Sequence, residues 1–425
     1  MGLKVAVIGG GSTYTPELIE GITERVDRLP VTELVLEDRD AERLAIVGGL
    51  AQRMVARREW PGRLTLTTDL DDAVDGAAFV LVQLRVGGQD ARLVDETLPP
   101  RFGTIGQETT GAGGLAKALR TVPVVLDIAE RVRRRGAPGS WVIDFTNPVG
   151  IVTQALLDAG HRAIGLCNVG IGFQRRMAQL LGVSPAEVTL EHVGLNHLSW
   201  ERGVRVDGVD RLPELLEANA ESWARDVKLP VERLRQLRAV PSYYLRYYYG
   251  FDAVLREQSE RRTRAEEVID IERRLLDMYR DPMLDEKPAL LADRGGAFYS
   301  EAAAQLLASL NDGAGDTQVV DVRNGGALPA LADDDVIEVS ATIDRDGAHP
   351  LAQRPLDDGV LDLVRDVKRY ERLAIHAALS GSREDARAAL EANPLVGPRI
   401  GDVGPLLDAL LEANRAHLPR FFGRA

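Results

Sequence analysis

Over the first 165 or so residues, short aliphatic and β-branched runs alternate with segments whose apolar positions recur every three or four residues. "KVAVIGG", "ELVLED", "AAFVLVQLR", "SWVIDFTN" and "RAIGLCN" read as strands. Alternation of this kind predicts βαβ units and a parallel sheet covered on both faces. The first helix is expected to be capped by Thr15, with Pro16 at its first position and Leu18, Ile19, Ile22 and Val26 on one face. Beyond residue 190 the rhythm changes. "LEHVGLNHLSWERGVRVDG", "VVDVRNGG" and "VIEVSATID" suggest further strands, with long helices between and after them. In 264–279, Val268, Ile271, Leu275 and Met278 recur at helical spacing and predict a core face. "PLLDALLEANRAHL" predicts a last amphipathic helix. The pattern gives a parallel-sheet α/β domain over 1–165 and an α+β domain over 166–425. With no repeat or low-complexity linker between them, the second domain is expected to pack onto the first.

Composition narrows the function. A chain of 425 residues with 45% hydrophobic content can bury a full core without disulfides. Its single cysteine can form no internal bridge, which fits a reducing cytoplasm. The N-terminus enters a strand directly, without a signal segment, and no apolar run approaches the roughly 18 residues of a membrane span. A soluble cytoplasmic protein is expected. The formal charge of −13 disfavours a nucleic-acid surface. Of 52 basic residues only five are lysines, so arginine-rich stretches such as "RVRRRGAP" read as coding bias and solvated helix ends.

"VAVIGGGSTYTPEL" places Gly9, Gly10, Gly11 and Ser12 between the first strand and the first helix. Glycines there let the backbone turn tightly and approach a pyrophosphate at the helix start. Tyr14 occupies the third glycine position of the common G-x-G-x-x-G spacing, so the loop alone is a weak signal. Asp38 in "LVLEDRD" strengthens it, because a carboxylate at the end of the second strand accepts ribose hydroxyls and disfavours the extra phosphate of NADP. A Rossmann-type NAD-binding domain is the expected fold of the first domain. "LRVGG" with Arg85, "FTNPVG" with Asn147, and "LCNVG" with Cys167 and Asn168 lie at the carboxyl ends of strands, where such sheets bind ligands.

A lone cysteine needs partners to count as a metal ligand. "GLNHLSW" offers His197, and a thiolate with an imidazole suits a borderline divalent ion with positions left open for substrate oxygens. Spacing alone favours a packing cysteine and a satisfied core histidine over a metal pair. "VPSYYLRYYYGFD" holds five of the nine tyrosines, most readily an aromatic packing stripe. A tyrosine is a poor base at a pKa near ~10 unless a metal and an arginine lower it.

Taken together, "VIGGGSTYTPEL", "GTIGQETTGAGGLAKALR", "FTNPVG", "IGLCNV", "GLNHLSW", "YLRYYY", "RGGAFYS" and "LLEANR" resemble the glycoside hydrolase family 4 enzymes nearly end to end, and most closely their 6-phospho-β-glucosidase branch. The resemblance implies a second domain like the C-terminal domain of lactate and malate dehydrogenases, a homodimer or homotetramer, and dependence on NAD and a divalent metal, usually Mn2+. It also implies the chemistry, an exception to the two-carboxylate scheme of most glycosidases. NAD+ takes a hydride from C3 of the sugar, a base removes the acidified C2 proton, the aglycone leaves from C1, water adds, and the ketone is reduced again. By motif, Cys167 and His197 match the metal ligands and Tyr244 the base. Glu108 in "GQETTG" matches a carboxylate that raises the basicity of that tyrosine. Arg85, Asn147 and Arg264 match substrate contacts, Arg264 being the candidate for a 6-phosphate. Asn168 stands where the α-specific members carry an acidic aspartate, which favours β-glycosides. Gly170 replaces the usual proline of the "CNVP" form.

Two rivals differ in class. A malate- or lactate-type 2-hydroxyacid dehydrogenase would need a His–Asp relay, for which His192 and His197 are the nearest candidates. A non-catalytic NAD-binding sensor would have no use for Cys167, His197 and Tyr244 together.

Overall fold

The computed structural model describes residues 2–295 and 298–423. Part of "RGGAFYS", residues 296 and 297, lies outside them. The strands are β1 (Leu3–Ile8), β2 (Val31–Glu37), β3 (Arg63–Thr67), β4 (Phe79–Val82), β5 (Trp141–Asp144), β6 (Ala163–Gly165), β7 (Thr189–Leu195), β8 (Leu198–Val206), β9 (Val209–Asp210), β10 (Val240–Pro241), β11 (Asp316–Arg323), β12 (Val336–Asp344) and β13 (Gly347–Pro350). Among the described residues they form one sheet in the order β10-β8-β7-β12-β11-β6-β5-β4-β1-β2-β3, with β13 on β12 and β9 on β8.

The segment from β3 to β6 is parallel throughout and runs 3-2-1-4-5-6. That is the doubly wound dinucleotide-binding order, with its switch of direction, and so its ligand crevice, between β1 and β4. From β6 the sheet continues into antiparallel β11 through the pair Gly165–Asp321, then through β12 and β7 to the β7–β8 hairpin. Gly165 makes the junction feasible. A Cβ there would lie 2.2 Å from Thr153 Oγ1 and 2.8 Å from Asp321 Cβ. One hydrophobic core draws on both halves, from Val5, Val80 and Ile143 to Val339, Leu307 and Leu410.

The expected strands are present, and three local expectations need correction. β3, in "RLTLT", was not anticipated, because an edge strand of alternating Leu and Thr carries no aliphatic run. Thr15 is not the cap of the first helix. Tyr14 holds that position, while the Thr15 hydroxyl donates to the Gly10 carbonyl (2.8 Å) and accepts from Gln83 (2.9 Å). Val26 lies beyond that helix, which ends at Thr23, and is 37% exposed. In the helix Arg264–Tyr279, Met278 is likewise exposed, and Glu272 and Tyr279 are buried beside Val268 and Leu275. The polar insertion of Glu272 is stabilised by Arg294 (2.6 Å) and Arg43 (3.1 Å).

Candidate active site

At the end of β1 the chain turns on Gly9, whose φ of +89° lies in the region that favours glycine. Gly9 and Gly10 both donate to the Glu37 carbonyl, at 2.9 and 2.6 Å. A Cβ on Gly10 would lie 2.8 Å from the Leu36 side chain, and one on Gly11 would lie 2.7 Å from Asp38 Oδ2. The loop is therefore seated on the end of β2, and Asp38 accepts the Gly11 N–H at 3.0 Å. Tyr14 is no obstacle at the third glycine position. Its backbone is helical, and its ring stacks under the Arg294 guanidinium at 4.3 Å.

This loop opens on a cavity of about 980 Å³ lined by Gly9, Ser12, Asp38, Arg85, Asn147 and Lys117, among others. The Oδ1 of Asn147 and the hydroxyl of Tyr14 are buried there without hydrogen-bond partners, as acceptors and donors kept for a ligand would be. The crevice, the glycine cradle and the Asp38 carboxylate fit a dinucleotide.

Cys167 and His197 arrive from opposite directions along the sheet. Cys167 lies just past β6 and caps the helix Asn168–Leu181, its backbone extended. Asn168 is the first residue of that helix, and Gly170 lets the helix approach β11, since a Cβ there would lie 2.4 Å from the Val319 Cβ. His197 is the second residue of the two-residue connection between β7 and β8, with φ at +63°. The turn is held by Asn196, which donates to Glu338 on β12 (2.9 Å), and by the His197 Nδ1–Thr109 Oγ1 hydrogen bond (2.7 Å). That bond leaves Nε2 as the nitrogen available to a metal.

Burial holds the His197 imidazole down to about pKa 4, against the pull of Glu338 and Glu108, so it is neutral at pH 7. Burial pushes the Cys167 thiol well up, and Glu338 adds to this, while the Val169 N–H and the Tyr299 hydroxyl oppose it. A buried thiol of this kind ionises only when a cation joins it. Among the described residues no third histidine, cysteine or carboxylate completes a ligand set. A neutral imidazole and one thiol with open positions fit a divalent ion that also takes substrate oxygens.

Tyr244 stacks its ring on His197 and is electrostatically coupled to Cys167. It lies in a 3₁₀ turn, Tyr243–Leu245, rather than on a helical stripe. Burial raises its phenol well above the ordinary value, and Cys167, Tyr247 and Glu108 raise it further. Glu108 is buried against three cations: Arg85, Lys117 Nζ at 2.5 Å and Arg92 Nε at 3.2 Å. Burial alone would raise its pKa, but these cations hold it well below the usual range. It is a fixed negative charge facing Tyr244.

Arg264 opens the helix Arg264–Tyr279, near enough to Tyr14 of the crevice to lower its phenol against the burial that raises it, and its guanidinium is engaged by other groups. Its guanidinium donates to Glu267 (2.8 Å) and to the Asp293 carbonyl (2.6 Å) and is half exposed. His192, a relay candidate for a dehydrogenase, is fully buried between Glu201 and Glu338 and cannot reach a substrate. Lys117, Arg92, Thr109, Tyr299 and Glu338 were not anticipated. A lysine on the buried face of "GLAKALR", in a chain with five lysines, was the available signal for Lys117.

The fold and the site define an α/β enzyme with a dinucleotide crevice beside a metal-competent thiol–imidazole pair. Residues 4–183 match the Family 4 glycosyl hydrolases and residues 192–396 the C-terminal domain of the same family, and the chain belongs to that family. It is 40% identical to a probable 6-phospho-beta-glucosidase of Bacillus subtilis, over 100% of this chain and 99% of that one. A 6-phospho-beta-glucosidase from Thermotoga maritima, solved with manganese, NAD+ and glucose-6-phosphate, is 36% identical and superimposes with a TM-score of 0.92, over 98% of this chain and 99% of that one. Malate dehydrogenase of Plasmodium falciparum, 15% identical with a TM-score of 0.55 over 89% of this chain and 98% of that one, shares the fold alone.

Proposed function

We propose that the chain hydrolyses 6-phospho-β-glucosides with NAD+ and a divalent metal, Mn2+ in the first instance. The observation that carries this reading is the convergence of Cys167, His197 and Tyr244 beside a dinucleotide crevice. A dehydrogenase has no need of such a set, and the 36–40% identity to 6-phospho-beta-glucosidases supports the substrate class. Asn168, an amide that cannot donate a proton as a carboxylic acid does, supports the β-anomer.

When bound, NAD+ and the metal ion supply a hydride acceptor for C3 and a fixed positive charge for the sugar oxygens. Gly9, Gly10, Gly11, Ser12 and Asp38 hold the dinucleotide. Cys167 and His197 hold the metal. Tyr244 would take the C2 proton, a metal ion at Cys167 and His197 supplying the charge that lowers its phenol, and Glu108 would strengthen its hold on that proton. Arg85, Asn147 and Asn168 orient the sugar. The same reading makes the enzyme cytoplasmic and homo-oligomeric.

The test uses enzyme stripped of nucleotide and metal, assayed on aryl α- and β-glucosides with and without 6-phosphate. Activity is expected only on the phosphorylated β-glucoside, and only with catalytic NAD+ and Mn2+. The product formed in D2O should carry deuterium at C2. Stoichiometric NADH accumulation, or a product with no label at C2, would refute the reading.

A further inference from the structure

Lys117 lies within the helix Gly111–Arg135, its side chain 3% exposed, and lines the same cavity as Gly9, Ser12, Arg85 and Asn147. The charges around it do not balance. Arg120 is paired with Asp95 (2.5 Å), and Arg92 has Glu96 (2.8 Å) in addition to Glu108. Arg85 and Lys117 are left to share one oxygen, Oε2 of Glu108. A guanidinium does not give up its proton in a protein, so the surplus positive charge falls on the lysine.

We propose that Lys117 accepts the hydroxyl proton of the sugar carbon that surrenders its hydride, and returns that proton when the carbon is reduced again. This inference rests on the glycosidase reading above. On that reading the hydride would leave toward the crevice and the sugar oxygens would face Cys167 and His197. The hydroxyl being oxidised must lie between the two. Lys117 stands on the cavity wall and acts electrostatically on His197. Other groups nearby are unsuited to this proton. Glu108 keeps Arg85 and Arg92 beside it when the Lys117 amine is neutral and so stays ionised, and Tyr244 is committed to C2.

The step balances. The C3–H bond breaks and its electron pair goes to the nicotinamide of NAD+. The O3–H bond breaks, its pair forms the second C–O bond, and the proton goes to neutral Nζ. In the closing reduction the hydride would come back to C3 from the reduced dinucleotide and the Lys117 ammonium returns the proton to O3, so nothing is consumed. Burial, Arg85 and Arg120 lower the amine to about 7 against the opposing pull of Glu108, so both forms are accessible at neutral pH. The other charged or titratable groups around it are Arg92 and Asp95, with His197 neutral.

The test compares K117M and K117R with the wild type. K117R keeps the ion pair to Glu108 but cannot act as a base, which separates proton transfer from positioning. Both variants should bind Mn2+ and NAD+ within about threefold of wild type by titration calorimetry. Both should lose roughly 10²–10⁴-fold in kcat/KM and the acid limb near pH 7. The isotope effect from 3-deuterated substrate should rise as that from 2-deuterated substrate falls, and methylamine should partly restore K117M. Activity of K117R near the wild-type level would overturn the proposal. So would loss confined to K117M with both isotope effects unchanged, or loss confined to phosphorylated substrate. If wild-type enzyme needs no NAD+ and shows no isotope effect at C3, the glycosidase reading falls too.

Discussion

The imidazole of His197 lies flat against the phenol ring of Tyr244, with centroids 3.6 Å apart and ring planes within 9°. One side chain is the candidate metal ligand and the other the candidate base, so the stack fixes where the proton is taken relative to the ion. Tyr244→Phe preserves the stacked ring and removes only the hydroxyl. It should retain Mn2+ affinity by calorimetry and unchanged thermal stability, while turnover falls roughly 10²–10⁴-fold.

Cys167 is buried, and its thiol is held neutral until a cation arrives. Cys167→Ser should therefore fold normally and weaken Mn2+ binding by more than about tenfold, read by titration into metal-free protein. Full activity of this variant in chelator would make the cysteine a packing residue.

The buried His192 sits between Glu201 and Glu338 (2.8 Å to the latter). Burial would lower its pKa, but the two carboxylates outweigh it and raise the value to about 10. An unfolded histidine titrates near ~6.5. The folded state thus keeps a proton that the unfolded chain releases. The stabilisation is complete below about pH 6.5 and is lost as the pH rises through 10. Denaturant unfolding should show stability declining from pH 7 to pH 9.5. His192→Leu leaves two buried carboxylates without their cation and should cost about 3–5 kcal/mol at pH 7.

Arg264 donates to Glu267 and the Asp293 carbonyl at a half-exposed position. Arg264→Ala should change KM for a 6-phosphorylated glucoside and for its unphosphorylated analogue by the same small factor, under about threefold. A rise of tenfold or more confined to the phosphorylated substrate would return the phosphate to Arg264.

The parallel strands were legible because a strand buried on both faces must be written as a continuous apolar run, as in "VAVI" and "FVLV". β3 was not, since an edge strand half covered by helices can alternate Leu with Thr. Met278 misled because period alone does not fix which residues of a helix face the core, and Glu272 entered that face only because two arginines from other elements meet it. The glycine loop and Asp38 were legible from local order. The pairing of Cys167 with His197 was not, because β11 and β12, more than a hundred residues downstream, lie between β6 and β7 in the sheet. Only the resemblance joined them. Lys117 stayed hidden because its meaning lies in a charge count over Arg85, Arg92, Glu108 and Arg120, which the sequence scatters.

The join between β6 and β11 at Gly165 and Asp321 puts the nucleotide crevice and the thiol–imidazole pair on one hydrogen-bonded lattice. A hinge between two bodies could bring reagents together on binding. A shared sheet sets their separation when the chain folds, like marks on a single ruler. A slip of one residue along β11 or β12 would turn every side chain to the opposite face and pull the hairpin bearing His197 out of line. Insertions in the connecting loops leave the ruler intact. Substrate preference in this architecture is therefore free to change through the loops that join these elements, while the sheet holds the span between crevice and thiol–imidazole pair fixed.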